Sequence, residues 1–331
     1  MVALLLMGSL GVPSVRAAAT CPAGSSLMRA GSRVSCVHAD RYDGRAQAPW
    51  IGVAPRTAPP RCYGDGQSGP RVQLIYGYLA GRPNRATSVV PLIRGPIAAR
   101  MQAVVNAASD GQDLGIRFAF RPGCAGLSVP VVQFPASVVA SDDAQAQLRA
   151  MIPVLQALGD DRSDRKYQVI WDWWNGGAVC GLGELADNDT PRPVTNQDGY
   201  PVGQRLPPLV VPQYSVVWHS AFGPKGVGCF ELDQSKAGVE IHELFHTLGA
   251  VQASAPHSDG TGHCTDTPSV MCPAYPKPTV PSCARQPVQV LDCGNDDYWN
   301  PAPAAGSYLS THANIAKSRF FGPQPDDLLS H

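Results

Sequence analysis

Apolar residues recur at two periods along this chain, and the switches between them outline its elements. In the segment RVQLIYGYLA, Val72, Leu74, Tyr76 and Tyr78 fall at every second position, the spacing of a strand. Residues 96–109 open with Pro96 near the first turn and continue at helical spacing. Gly115 to Phe120 alternates again and predicts a strand. From Asp142 to Leu158 the period is helical: Leu148, Met151, Ile152, Leu155 and Leu158 form one stripe. Ser141 or Asp142 is available as its N-cap, and Pro153 predicts a kink. Tyr167 to Trp173 and Ser215 to His219 read as further strands. Strand, helix, strand, helix, strand predicts an α/β fold, with helices packed on a twisted, mixed sheet. Between Trp173 and Tyr214 the chain is rich in Gly, Pro, Asp and Asn and is expected to be irregular. A final helix is expected over 308–321.

Composition narrows the function classes. Of 331 residues, 26 are Lys or Arg and 26 are Asp or Glu, so the formal charge is zero. That balance gives no electrostatic footprint for a phosphate backbone, and no nucleic-acid partner is expected. Gly 33 and Pro 32 with 44% hydrophobic residues point to a folded chain with long, tightly turned connections. Apolar residues from Val2 to Val15, followed by Ala17, Ala18 and Ala19, read as a signal peptide over 1–19. Secretion to the extracellular space follows as an expectation, without a transmembrane anchor and as a monomer. The ten cysteines fit disulfides in such a compartment. Candidate pairs are Cys21–Cys36, Cys180–Cys229, Cys264–Cys272 and Cys283–Cys293. No CxxC spacing suggests a thiolate metal site.

Chemistry concentrates in VEIHELFHTLG, residues 239–249. On a helix, His242 and His246 are four apart and share one face. Glu243 between them can reach a water without being a ligand, which is the HExxH logic of a zinc hydrolase. Gly249 fits a helix C-cap. Four of the eight histidines, His242, His246, His257 and His263, fall within this part of the chain. A metal centre that needs a third protein ligand explains the cluster.

The segment resembles the metzincin clan of zinc endopeptidases, whose signature is HExxHxxGxxH followed by a methionine turn. His242, Glu243, His246 and Gly249 match, whereas the place of the third histidine holds Gln252. Gly262-His263-Cys264, with Met271 downstream, resembles the archaemetzincin arrangement and implies His263 as third ligand and Met271 as the turn methionine. His257 is the runner-up. The stretch from HELFHTLG to DCGNDDYW is also similar to a group of secreted actinobacterial HExxH proteins. The resemblance implies a five-stranded twisted sheet with an active-site helix, followed by a disulfide-rich irregular C-terminal part. The implied organisation is a disulfide-containing N-terminal extension over 20–66 and a zinc metallopeptidase domain over 67–331.

On this reading Glu243 serves as general base for hydrolysis of a peptide or protein substrate, with Zn2+ as cofactor. Tyr275 is a candidate oxyanion donor or rim residue. An extended peptide is expected to pair along a sheet edge. Asp292, Asn295, Asp296 and Asp297 offer hard oxygens, so Ca2+ is a second candidate ion beside the reading as an ordinary acidic turn. Gln252 keeps open an inactive secreted binding or cell-surface module that retains the metal site; a zinc amidase is a further alternative, since the motif does not separate amide substrates.

Overall fold

The computed structural model describes residues 21, 24–30, 33–41, 59–173, 179–186, 189, 191, 213–218, 238–266, 269–272 and 291–323. Among these residues the main sheet has seven strands: β1 (Ser26–Ala30), β2 (Arg33–Arg41), β3 (Arg71–Leu79), β5 (Val131–Phe134), β6 (Arg165–Trp171), β7 (Val179–Leu185) and β8 (Gln213–Trp218). Their order across the sheet is β1-β2-β7-β8-β6-β3-β5. Strands β5, β3, β6 and β8 are mutually parallel, while β7 runs antiparallel to β8, β2 to β7, and β1 to β2. The sheet is therefore mixed, as the sequence predicts. It holds two strands more than the five implied by resemblance, because residues 26–41, expected as an extension, form a hairpin that joins the sheet.

Both faces of the central strands are covered, so these strands read as nearly continuous apolar runs. Val72, Leu74, Tyr76, Ile170 and Val217 face one layer, built from α1 (Ala86–Leu92), α2 (Ala98–Ala107) and α4 (Gly238–Leu248). A five-residue π-helical segment, Ile93–Ile97, joins α1 to α2 where Pro96 removes a backbone donor. Ile75, Val169, Trp171, Val216 and Trp218 face the other layer, α3 (Ala144–Ala157), together with Met28 and Val37 of the hairpin. In α3, Leu148, Met151, Ile152 and Leu155 are fully buried, each worth about 1.5–3 kcal/mol relative to exposure. Leu158 departs from the predicted stripe: it lies just past the last helical residue and is 61% exposed. The N-cap is Asp143, one residue beyond the expected pair; its carboxylate accepts from the Ala146 amide at 2.6 Å. The helix continues through Pro153, which faces solvent.

Three elements differ from expectation. Strand β7 lies inside the segment predicted to be irregular; its alternating glycines lack the β-branched signal of a strand. The strand expected over 115–120 shortens to β4 (Gly115–Ile116), which pairs with β9 (Phe321–Gly322) away from the main sheet. The C-terminal helix is limited to α5 (Tyr308–Thr311), followed by a single 3-10 turn, Ile315–Lys317. There Ser310 and Thr311 bond back to backbone carbonyls, and Asn314 accepts from the Ala316 amide, so local side chains compete with helix propagation.

Disulfides Cys21–Cys36 and Cys264–Cys272 are present, and Cys62–Cys124 joins segments that sequence spacing did not pair. Cys180 and Cys293 are also oxidised. Their expected partners, Cys229 and Cys283, lie outside the described residues. Among the described residues no helix is long and apolar enough to cross a membrane.

Candidate metal centre

Helix α4 crosses beneath β7 and β8 and is buried along its whole length. It ends in a Schellman motif: the Gly249 amide donates to the His246 carbonyl at 3.2 Å and the Ala250 amide to Phe245 at 3.0 Å. Gly249 has φ +90°, a conformation that favours glycine. Gln252 is not directed at the histidines. Its amide donates to the carbonyls of Gly249 (2.7 Å) and Ala186 (3.1 Å), tying the helix exit to the end of β7.

Three imidazoles converge at one point. His242 Nε2 lies 3.0 Å from His246 Nε2 and 3.1 Å from His263 Nε2. His242 Nδ1 lies 2.8 Å from the Val270 carbonyl, which can only accept, so the proton sits on Nδ1 and the Nε2 lone pair faces inward. His263 is braced by Thr261 Oγ1, 3.2 Å from its Nδ1. Four-coordinate zinc at about 2.0–2.1 Å from each nitrogen would set them roughly 3.3 Å apart, so this donor set fits such an ion. All three rings are buried, as is Glu243.

Glu243 owes its position to two glycines on β7. A Cβ on Gly181 would lie 2.5 Å from Cγ and Cδ of Glu243, and closer still to Oε1. A Cβ on Gly183 would lie 2.7 Å from the Glu243 carbonyl oxygen and 3.0 Å from His246 Cβ. The same strand edge receives β2, with His38 opposite Gly183. The His38 ring centre is 4.3 Å from that of His263, edge to face, and 5.8 Å from that of His246. No spacing in the sequence marks His38, since it reaches the centre through strand pairing alone. The alternation VCGLGEL was the available signal for Gly181 and Gly183: glycine on one face of a strand permits close approach of another element. Because β2 pairs with β7 on the side away from β8, β7 offers no free edge there to an extended peptide.

Met271 is fully buried in a tight turn, in which the Cys272 amide donates to the Ser269 carbonyl at 3.2 Å. The Cys264 amide donates to the Met271 carbonyl at 3.1 Å, and the Cys264–Cys272 disulfide closes the same junction. The turn and the His263 loop are thereby fixed to one another. Tyr275 lies outside the described residues.

His257, the alternative third ligand, belongs to a different cluster with Asp266, Asp296 and Asp297. Its amide donates to Asp297 Oδ1 at 2.7 Å, and its Nδ1 lies 3.2 Å from Asp297 Oδ2. Burial alone would lower the pKa of His257, but Asp297, Asp266 and Asp296 outweigh it and raise it. Asp292, a calcium candidate, instead holds the loop: its Oδ2 accepts from the amides of Asp297, Tyr298 and Trp299 at 3.1, 2.8 and 2.7 Å. Burial pushes its carboxyl well above the usual carboxylate range. Asn295 is exposed and takes a left-handed backbone, φ 54°. A third grouping, Cys264 and Cys272 with Asp266, offers no thiolate, because both sulfurs are oxidised.

Comparison with protein-family models and with curated proteins finds no match to this chain. The geometry supports a metal-binding protein with an α/β core; any closer assignment rests on the site itself.

Proposed function

We propose that the chain is a secreted zinc endopeptidase of the metzincin type, with His242, His246 and His263 as ligands and Glu243 as general base. The observation that carries this reading is the convergence of three imidazoles, with His242 Nε2 3.0 Å from His246 Nε2 and 3.1 Å from His263 Nε2, and a carboxylate one residue from the first. Bound there, zinc supplies Lewis acidity and lowers the pKa of a water toward neutrality. Glu243, confined between α4 and the glycines of β7, takes the proton of the attacking water and passes it to the leaving amine. The Val270 carbonyl and Thr261 hydroxyl orient two of the three imidazoles, and Met271 packs in the turn that carries the Val270 carbonyl. Export accords with the cysteines, none of which is free among the described residues.

Burial favours a second reading. His242, His246 and His263 are 1%, 0% and 3% exposed, and Glu243 is 0% exposed. Structural zinc sites are closed, whereas catalytic ones keep an open position. The centre would then brace a binding module without turning substrate over.

Zinc content and hydrolysis of a quenched-fluorescent peptide library separate the two. The peptidase reading expects turnover by the wild type, loss of turnover with zinc retained in Glu243→Gln, and loss of both in His263→Ala. Stoichiometric zinc without turnover, with Glu243→Gln as stable as wild type, would favour the closed centre. A folded protein whose triad holds no zinc refutes both.

A further inference from the structure

The cluster around His257 lies at the junction of two irregular segments, 257–266 and 291–299. From His257 Nδ1, Asp297 Oδ2 is 3.2 Å away, Asp296 Oδ1 3.6 Å and Asp266 Oδ2 3.7 Å. All four donor atoms fall within 4.8 Å of one another. Asp266 and Asp297 are fully buried. Asp266 Oδ2 and Asp296 Oδ1 are shielded from solvent and make no hydrogen bond. The other oxygen of Asp266 rests 3.0 Å from Cys272 Sγ, a disulfide sulfur with no proton to give. Asp266 thus aims a buried carboxylate oxygen, Oδ2, into the cluster with no hydrogen bond to it. Leaving such a group unsatisfied is costly.

As ligands, a neutral His257 and three carboxylates carry a charge of 0 − 3 = −3, and burial already pushes the Asp266 and Asp297 carboxyls above the usual carboxylate range. A divalent cation addresses both defects at once, since it offsets two of the three negative charges and supplies a partner for each orphaned oxygen. The donors are one nitrogen and three oxygens, the four needed for a closed tetrahedral site. Imidazole nitrogen selects a zinc-type ion over calcium, which takes six to eight oxygens.

We propose that His257, Asp266, Asp296 and Asp297 hold a second, structural divalent ion of the zinc type, which fastens the loop carrying His263 to the segment 291–299. The assignment is separate from the peptidase reading, because it concerns other ligands and needs no turnover. The Thr265 amide reaches back to the His257 carbonyl at 2.9 Å, and the ion would close the loop from its other side.

The test counts zinc by plasma mass spectrometry on the oxidised full chain after equilibration with zinc and gel filtration. Wild type is expected to hold about two ions per chain, and His242→Ala/His246→Ala about one. Adding Asp266→Asn to that double variant is expected to remove the remaining ion. If the double variant holds none, or if Asp266→Asn leaves its ion in place, the proposal is overturned. Retention of calcium in preference to zinc overturns the zinc-type assignment. Thermal melting of the otherwise wild-type chain supplies a second reading with a sign change. In chelator, Asp266→Asn is expected to raise Tm, because it removes a buried, unsatisfied carboxylate. In zinc it is expected to lower Tm relative to wild type. An increase of equal size under both conditions overturns the proposal even where metal counts are ambiguous.

Discussion

Gly181→Ala adds a single methyl group where β7 faces Glu243, and the outcome can be worked from distances. The new Cβ would sit 2.5 Å from both Cγ and Cδ of Glu243. Carbon atoms prefer about 3.5–4.0 Å, so the carboxylate must retreat by roughly 1 Å. Misplacing a catalytic group by that much costs about 100-fold in rate, and complete loss of a general base costs about 100- to 10,000-fold. Gly181 borders a register shift in the β2–β7 pairing but does not take a left-handed backbone, so the effect is steric. Overpacking costs about 1–3 kcal/mol, partly offset by the reduced freedom of the unfolded chain. On the proposed peptidase reading, the expected result is a loss of at least about 100-fold in kcat/KM for peptide hydrolysis, a fall of a few degrees in Tm, and unchanged zinc content. Gly183→Ala serves as contrast. Its Cβ would meet the Glu243 carbonyl oxygen at 2.7 Å and His246 Cβ at 3.0 Å. Backbone cannot rotate away, so strand and helix must separate and zinc affinity should fall with stability. Wild-type kcat/KM in Gly181→Ala would refute the claim that this strand fixes the position of Glu243.

Other perturbations test the supports around the centre. Replacing Cys264 and Cys272 together by Ser should cost about 2–3 kcal/mol and weaken zinc retention, because His263 loses its tie to the Met271 turn; chelator titration beside a melting curve measures both. His38→Ala should weaken zinc binding about 10-fold by freeing the ring of His263, and unchanged zinc off-rates would show that contact to be incidental. Lys166, buried on β6, donates to the Thr247 carbonyl at 2.6 Å near the end of α4 and also to Gln213. Lys166→Met should therefore cost about 1–3 kcal/mol in denaturant unfolding. Asp65 is held down to about 2 by the Ser68 hydroxyl and then by the Ser68 and Gln67 amides. Its folded pKa is below its unfolded one, so it adds stability above about pH 4 that is lost as pH falls toward about 2; Asp65→Asn should flatten Tm over that window.

How far the sequence could be read depended on whether the signal was local. Helix α4 was legible because HExxH spacing, the apolar period and Gly249 lie within a dozen residues. The choice between His257 and His263 was not, because both occupy one irregular segment with no period to orient them. Their paths are separated by one contact remote in sequence and one local: Asp297, forty residues on, takes His257, while the Cys264–Cys272 junction ties the loop of His263 to the Met271 turn. Strands β3, β6 and β8 were visible through their β-branched and aromatic residues, but β7 was hidden by glycines that exist to accommodate Glu243. Residues 308–321 looked helical by apolar spacing, which takes no account of the Ser, Thr and Asn side chains that bond to their own backbone.

The β1–β2 hairpin has a consequence for how the chain is made and handled. It covers β7, which would otherwise present a row of unpaired amides and carbonyls to any neighbouring chain. Met28 and Val37 also close one end of the core over α3. A chain shortened to begin at residue 59 would thus expose a sticky strand and an open apolar seam together. Such a product should form dimers or higher assemblies through β7, and the hairpin acts as a built-in guard against self-association as well as a neighbour of the metal centre.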